Sequence, residues 1–312
     1  MANAFLSVQE IAEEALATLY ETTILKSLVH TDLTTEFASK KTGNTIDIRV
    51  PAVFTANRFN RATGIVLQDA TESSIPVMLD KISDVSVPVT DEDMTLNIND
   101  FSVQLLSPMM EAVAQDIDLE LFLLRNGVTQ VAGFGSTATA DGTTWDKPEV
   151  LIEAGRLLDM QAVPTTDRFA VVGPTTKAKW TNTELLKHAD KSGSTAALRE
   201  GSLGSDLFGF QAFRSGNVGQ PSTTPAVGDA TTEVGLAFHN SAFAFASAPL
   251  QLPAGANVGQ VAVASYNGLS LRVAYGWDIV KKQSVVSVDM LFGTKLLDAN
   301  RAVLLKGANR TA

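Results

Sequence analysis

Asp116 and Glu120 stand four residues apart in a long helical repeat, a spacing at which two carboxylates can share a cation or work as an acid and base pair. Neither has a histidine or basic residue at helical spacing, and both fall off the apolar stripe, so the spacing reads as a solvated helix face. The three histidines, His30, His188 and His239, are scattered, and none belongs to a metal-ligating helix motif such as HExxH. Asp91-Glu92-Asp93 has the charge to hold calcium but lacks the glycine and distal glutamate of an EF-hand loop. Cysteine is absent, which removes disulfides, thiolate nucleophiles and thiolate-bound metals. No GxSxG, GxxxxGK[ST] or GxGxxG occurs, and Phe208-Gly209-Phe210 has the wrong spacing to cradle a phosphate. The expectation is a protein that is not an enzyme, with no catalytic residue, cofactor or metal. An α+β enzyme working through acidic residues as a small oligomer is the alternative from another class, and a tail or filament protein is a third.

The elements around these residues belong to a globular chain. Of 312 residues, 45 % are hydrophobic and 19 % charged, enough for a substantial core. A net charge of -10 and a pI near 4.8 argue against a groove that grips nucleic acid, because neutralising phosphates takes clustered Lys and Arg. An acidic surface serves solubility, and it also suits a wall that faces packed DNA at a distance. The start, Met1-Ala2-Asn3-Ala4-Phe5-Leu6-Ser7, does not read as a signal peptide, and no apolar run reaches the roughly 18 residues of a membrane span. Synthesis in the cytoplasm and no membrane contact are expected.

Ser7 and Glu10 form a capping box, after which Val8, Ile11, Ala12, Ala15, Leu16 and Leu19 fall at helical spacing. This amphipathic helix lays its stripe on its own core or on a neighbour; periodicity does not choose. Thr45 to Val50, with Ile46, Ile48 and Val50 on one face, reads as the first arm of a long hairpin. Its return arm runs from Ile75 to Val89, where Val77, Leu79, Val85, Val87 and Val89 share a parity. Between the arms lie about 19 residues, Ala56 to Ser74, far beyond an ordinary hairpin loop. An isolated two-stranded ribbon is marginal in water, so such a hairpin is expected to complete itself against another molecule. Its tip holds Arg58, Phe59 and Arg61, suited to an acidic patch on a neighbour, or else a solvated loop.

Leu105, Met109, Val113, Ile117, Leu121, Leu124 and Val128 mark a long helix; Pro108 either kinks it or opens its main part. A helix over 147–158, a buried strand Arg168–Val172 ended by a Gly-Pro turn and a helix over 175–187 follow, with a loop from His188 to Ser205. Short strands are expected at 210–214, 235–238 and 242–246. Two closing strands carry Leu271, Val273, Tyr275 and Trp277, then Val286, Val288, Met290 and Phe292, and Ala302 to Lys306 adds a third.

This order of segments, with Lys41-Thr42-Gly43-Asn44-Thr45-Ile46-Asp47-Ile48-Arg49-Val50-Pro51 opening the hairpin and Trp277 to Leu305 closing the chain, resembles a tailed-bacteriophage major capsid protein. It is most similar to the coat proteins grouped with phage P22. The resemblance covers nearly the whole chain and implies an α+β, HK97-type fold. It implies an N-terminal arm (1–44), an extended hairpin loop (45–90), a peripheral domain with a spine helix (91–149), an axial domain (150–265) and peripheral C-terminal strands (266–312). It further implies self-assembly into pentamers and hexamers of an icosahedral head that encloses double-stranded DNA without sequence-specific binding. Partners are then copies of itself, a separate scaffolding protein, a portal and decoration proteins; the location is the virion. The contacts between subunits are expected at the tip (Arg58, Phe59, Arg61) and on the arm (Glu10, Glu13, Glu14). No lysine lies in Ala56 to Ser74, so an isopeptide weld at the tip is not expected. An encapsulin-type shell around cargo enzymes is the alternative within the same fold.

Overall fold

The computed structural model describes residues 8–31, 45–50, 56–59, 61, 64, 67, 73–90, 105–133, 144–187, 206–251, 260–266, 269–281 and 283–311. Ser7, the segment 91–100 with its acidic triplet, and the loop from His188 to Ser205 lie outside them. In chain order the elements are α1 (Val8–Thr22), β1 (Thr45–Val50), β2 (Ser73–Met78), β3 (Lys81–Thr90), α2 (Ser107–Leu123) and β4 (Val131–Ala132). Then come α3 (Val150–Met160), β5 (Arg168–Val172), α4 (Pro174–Thr181), α5 (Glu184–Lys187), β6 (Gln211–Arg214) and β7 (Gly235–His239). The last are β8 (Phe243–Ala248), β9 (Gln260–Tyr266), β10 (Leu269–Asp278), β11 (Gln283–Leu296) and β12 (Ala302–Leu305).

Two five-stranded sheets organise the body. The first has the order β3-β11-β10-β9, with β8 continuing beside β11 past the end of β10. The second has the order β4-β12-β7-β5-β6 and mixes parallel with antiparallel pairs. The third closing strand, β12, joins this second sheet and not the closing pair, because its partners β7 and β4 come from distant parts of the chain. β9, whose small residues give little contrast in the sequence, is an additional strand beside β10.

Strand parity divides the core. Phe169, Val171, Leu236, Phe238, Ala302 and Leu304 face one way from the second sheet, into the main core shared with α1, α2 and the first sheet. Their alternates, Ala170, Val172, Ala237, Val303 and Leu305, face the other way and pack under α3 with Val150, Leu151, Ala154 and Leu158. Within α1, Ala12, Ala15, Leu16 and Leu19 are buried in the main core, so the stripe lies on the chain's own body. The main helix begins at Ser107, directly after a π-helical turn at Leu105–Leu106, with Pro108 in its first turn, where a missing N–H costs nothing. The Gly-Pro pair after β5 opens a helix: Gly173 is the N-cap of α4 and Pro174 its first residue.

The return arm of the hairpin is two strands with different partners. β1 pairs with β2 alone, from Thr45 opposite Met78 to Val50 opposite Ser73. After Leu79 and Asp80 the chain enters β3, which pairs with β11 over its full length. Val77 and Leu79 are buried against Ala244 and Ala246 of β8, which fixes the root of the ribbon on the body. Gly293 of β11 permits this. A Cβ there would collide with the backbone carbonyl of Met78 and crowd the Cα of Leu79. Gly293→Ala is therefore expected to lower the urea-unfolding midpoint, by about 1–3 kcal/mol of stability as for other overpacked sites. An unchanged midpoint would show that β2 can lift from β11 at no cost.

Candidate functional site

The sequence-predicted contact residues lie at the hairpin tip and on the outer side of α1, and α2 ties both segments to the body. At 17 residues this helix is about 25 Å long, and Met109, Met110, Val113, Ala114, Ile117, Leu121 and Phe122 bury it in the main core. Asp118 lies among them at 2 % exposure. Its carboxylate accepts the backbone N–H groups of Leu25 at 3.1 Å and Ile24 at 3.3 Å, in the short turn Leu25–Leu28 that follows α1. Glu120, one turn away from Asp116, forms a salt bridge to Lys81 at the start of β3. Arg125, just past the helix, donates one guanidinium nitrogen to the carbonyls of Val218 at 3.0 Å and Val234 at 3.1 Å, beside the second sheet. One element thus holds the arm, the root of the hairpin and the second sheet.

These ties differ in energetic weight. Side-chain exposures of 34 % for Lys81 and 28 % for Glu120 place their pair near the surface, where ion pairs contribute about 0–1 kcal/mol, so its role is to set position. Asp118 is more costly. Burial raises its pKa from 3.8 to about 6, against the opposing pull of the Ile24 and Leu25 N–H groups. Burial likewise lowers Arg125 from its ordinary range. Lys26, beside the same turn, is buried and drawn down to about 8.

Of the sequence-predicted contact residues, Arg58, Phe59 and Arg61 are exposed at the hairpin tip, Phe59 at 68 %. Glu13 and Glu14 are exposed on α1. Glu10 belongs to the same helix, its side chain outside the described residues. Tip and arm residues lie on separate elements. Asp116 and Glu120 form no acid and base pair with each other; Glu120 is engaged by Lys81, a partner from a strand that helical spacing does not reveal. His239 accepts the N–H of Ser241 through Nδ1 and caps the turn after β7, while His30 is half-buried and its backbone adds to the edge of β8. His188 is outside the described residues. Among those residues no three His, Cys, Asp or Glu groups cluster as metal ligands, and no helix is long and apolar enough to cross a membrane.

The start of α4, where backbone N–H groups could hold an anion, is occupied by the chain itself. Glu233, 2 % exposed, accepts the N–H groups of Thr176 at 2.7 Å and Thr175 at 3.0 Å and the hydroxyl of Thr176 at 2.8 Å, at the N-terminus of α4. Burial pushes its carboxyl up, but these donors together outweigh it and leave the pKa below the usual value. Gly173 makes the room, since a Cβ there would lie 2.5 Å from the Glu233 carboxylate. Sequence reading missed Asp118, Arg125 and Glu233. Only Asp118 carries a signal, a charge placed four after Ala114 and three before Leu121 on the apolar side.

Asp118 predicts a pH response. The folded protein binds its proton more tightly than the unfolded chain, so this group adds stability as pH falls from about 6 toward 3.8. His239, whose pKa is lowered by burial and by Arg301, acts in the opposite sense below its ordinary 6.5, and Lys26 titrates above the window. Comparison with Asp118→Asn isolates the carboxyl. The stability of the wild type relative to the variant is expected to rise by about 2 kcal/mol between pH 7 and pH 4 in urea unfolding of the unassembled chain. Parallel pH profiles would refute the assignment.

No protein-family model and no curated protein sequence matches the chain. Solved structures do. The capsid of the cyanophage P-SCSP1u aligns over 92 % of this chain and 89 % of its own with a TM-score of 0.63 at 17 % identity. A structure from Mycobacterium phage Che8 covers 90 % of each chain with a TM-score of 0.62 at 19 % identity. A virus-like particle from Pyrococcus furiosus aligns over 95 % of this chain and 98 % of its own, with a lower TM-score of 0.50 at 12 % identity. At these identities the likeness establishes the fold: mixed α and β, of the kind found in phage capsid chains.

Proposed function

We propose that the chain is a major capsid protein that assembles with copies of itself into the pentamers and hexamers of an icosahedral phage head around double-stranded DNA. The observation that carries this reading is the alignment of about nine-tenths of the chain with a phage capsid chain of nearly the same extent. The architecture supports it. A ribbon with three exposed residues able to grip, rooted firmly on a well-packed body, has the form of a part that works on a neighbour.

In this reading the body described above divides into the peripheral and axial parts of an HK97-type subunit, and the exposed Glu13 and Glu14, with Glu10, place the arm against an adjoining copy. Placement with the coat proteins of the phage P22 group rests on the order of segments alone. A separate scaffolding protein, a portal and decoration proteins are the expected partners, and the virion the expected location. An encapsulin-type shell is the second reading, and the alignments with phage structures support the first.

Negative-stain microscopy with nuclease treatment tests it: closed shells protecting DNA in phage lysates support a head, while shells filled with enzyme support an encapsulin. Small soluble oligomers alone would refute both. Arg58→Glu combined with Arg61→Glu is expected to leave the urea midpoint of the unassembled chain within about 0.5 kcal/mol, as for exposed sites, while shell yield falls sharply. Normal shells from this double variant would remove the tip from the assembly contacts.

A further inference from the structure

From residue 74 to 90 every even-numbered position is exposed, and the alternation passes without a break through the joint between β2 and β3. It leaves Met78, Asp80, Ile82 and Asp84 in one row on the outer face, with Met78 at 47 % and Ile82 at 62 % exposure. Apolar and acidic side chains therefore alternate about every 7 Å along this strip. Asp84 accepts the hydroxyls of Ser86 at 3.1 Å and Ser287 at 3.0 Å. The nearby arginine, Arg272, lies in the same cross-strand row and is engaged by Asp289, with Nε at 2.9 Å from its carboxylate. One cation and two carboxylates leave that row net negative, and the excess lies toward Asp84.

The hairpin tip carries the complementary pattern: a cation, an aromatic and a second cation at Arg58, Phe59 and Arg61, all exposed. Asp80 and Asp84 are about 13 Å apart along the strand, and Arg58 and Arg61 at most about 10 Å apart along the backbone, a difference that two arginine side chains readily span. We propose that the strip Met78-Asp80-Ile82-Asp84 of one copy seats the tip of a second copy, Phe59 lying on Ile82 between two arginine-carboxylate pairs. This rests on the self-assembly reading and names the surface the tip grips. The tip of the same chain is a poor occupant. β1 and β2 run paired for six residues each, about 17 Å from the root at Met78, before the tip begins, and a return to Asp84 would have to fold back along the ribbon.

The absence of cysteine makes the test clean. Phe59→Cys and Ile82→Cys chains are prepared separately, co-assembled and oxidised. The expected result is a disulfide-linked band at twice the chain mass from the mixture and little from either variant alone. Particles that form normally without that band overturn the seat and leave self-assembly standing; wild-type chains that form no particles overturn self-assembly itself. An internal disulfide in a dilute double variant assigns the strip to its own tip and also overturns the proposal. Should a cysteine variant not assemble, the charge exchange decides. Adding Asp80→Arg and Asp84→Arg to Arg58→Glu and Arg61→Glu restores the lost particle yield if the strip is the seat, and does not if it is elsewhere.

Discussion

The structure depends on a buried helix from which three polar groups reach outward. α2 is held by apolar contacts on the first sheet and on α1, and Asp118 and Glu120 on it, with Arg125 just past its end, reach the arm, the hairpin root and the second sheet. Each group adds a directional polar tie to that apolar packing. Burying a carboxylate at Asp118 costs stability near neutrality, yet it gives two backbone N–H groups of the turn after α1 a fixed acceptor. The Lys81 and Glu120 pair adds little energy, but it places the first residue of β3 directly after the joint where the strand changes partners. Under the proposed function such constraints matter, because small errors in the angle of the ribbon grow with distance from its root.

Much of this was legible in the sequence where a pattern was local. The period of α2, the parity of β10 and β11 and the identity of the exposed tip residues follow from side-chain spacing. The split of the return arm was not legible. Exposure alternates from 74 to 90 without interruption, so the residues carry no mark of the point at which the partner changes from β1 to β11. The membership of β12 in the second sheet depends on pairings with distant strands, which no window of sequence contains. β9 lies directly before its hairpin partner β10, and it was not legible because its small residues give little contrast. Gly293 was unremarkable in the sequence, and its meaning comes from the backbone of Met78 lying across it.

Polar residues with the chemistry to act on other molecules are largely spent on structure. Glu233 fills the N-terminus of α4, His239 caps a turn, and Glu120 holds Lys81. Among the described residues, the tip and the strip from Met78 to Asp84 carry exposed groups in complementary order, cations flanking an aromatic and carboxylates flanking an aliphatic, and both are contact surfaces in the proposed assembly. Under the proposed function, fold and surface serve the same end, contact with another copy of the chain.

Native-state hydrogen exchange tests the role of α2 most directly, because the amides of Ile24 and Leu25 are the donors to Asp118. If the helix unites the arm and the hairpin root with the body, these two amides, those of β3 and those of α2 open together, with one free energy and one denaturant dependence. Exchange of Ile24 and Leu25 in a separate opening of lower energy, unaffected by denaturant, would contradict the account.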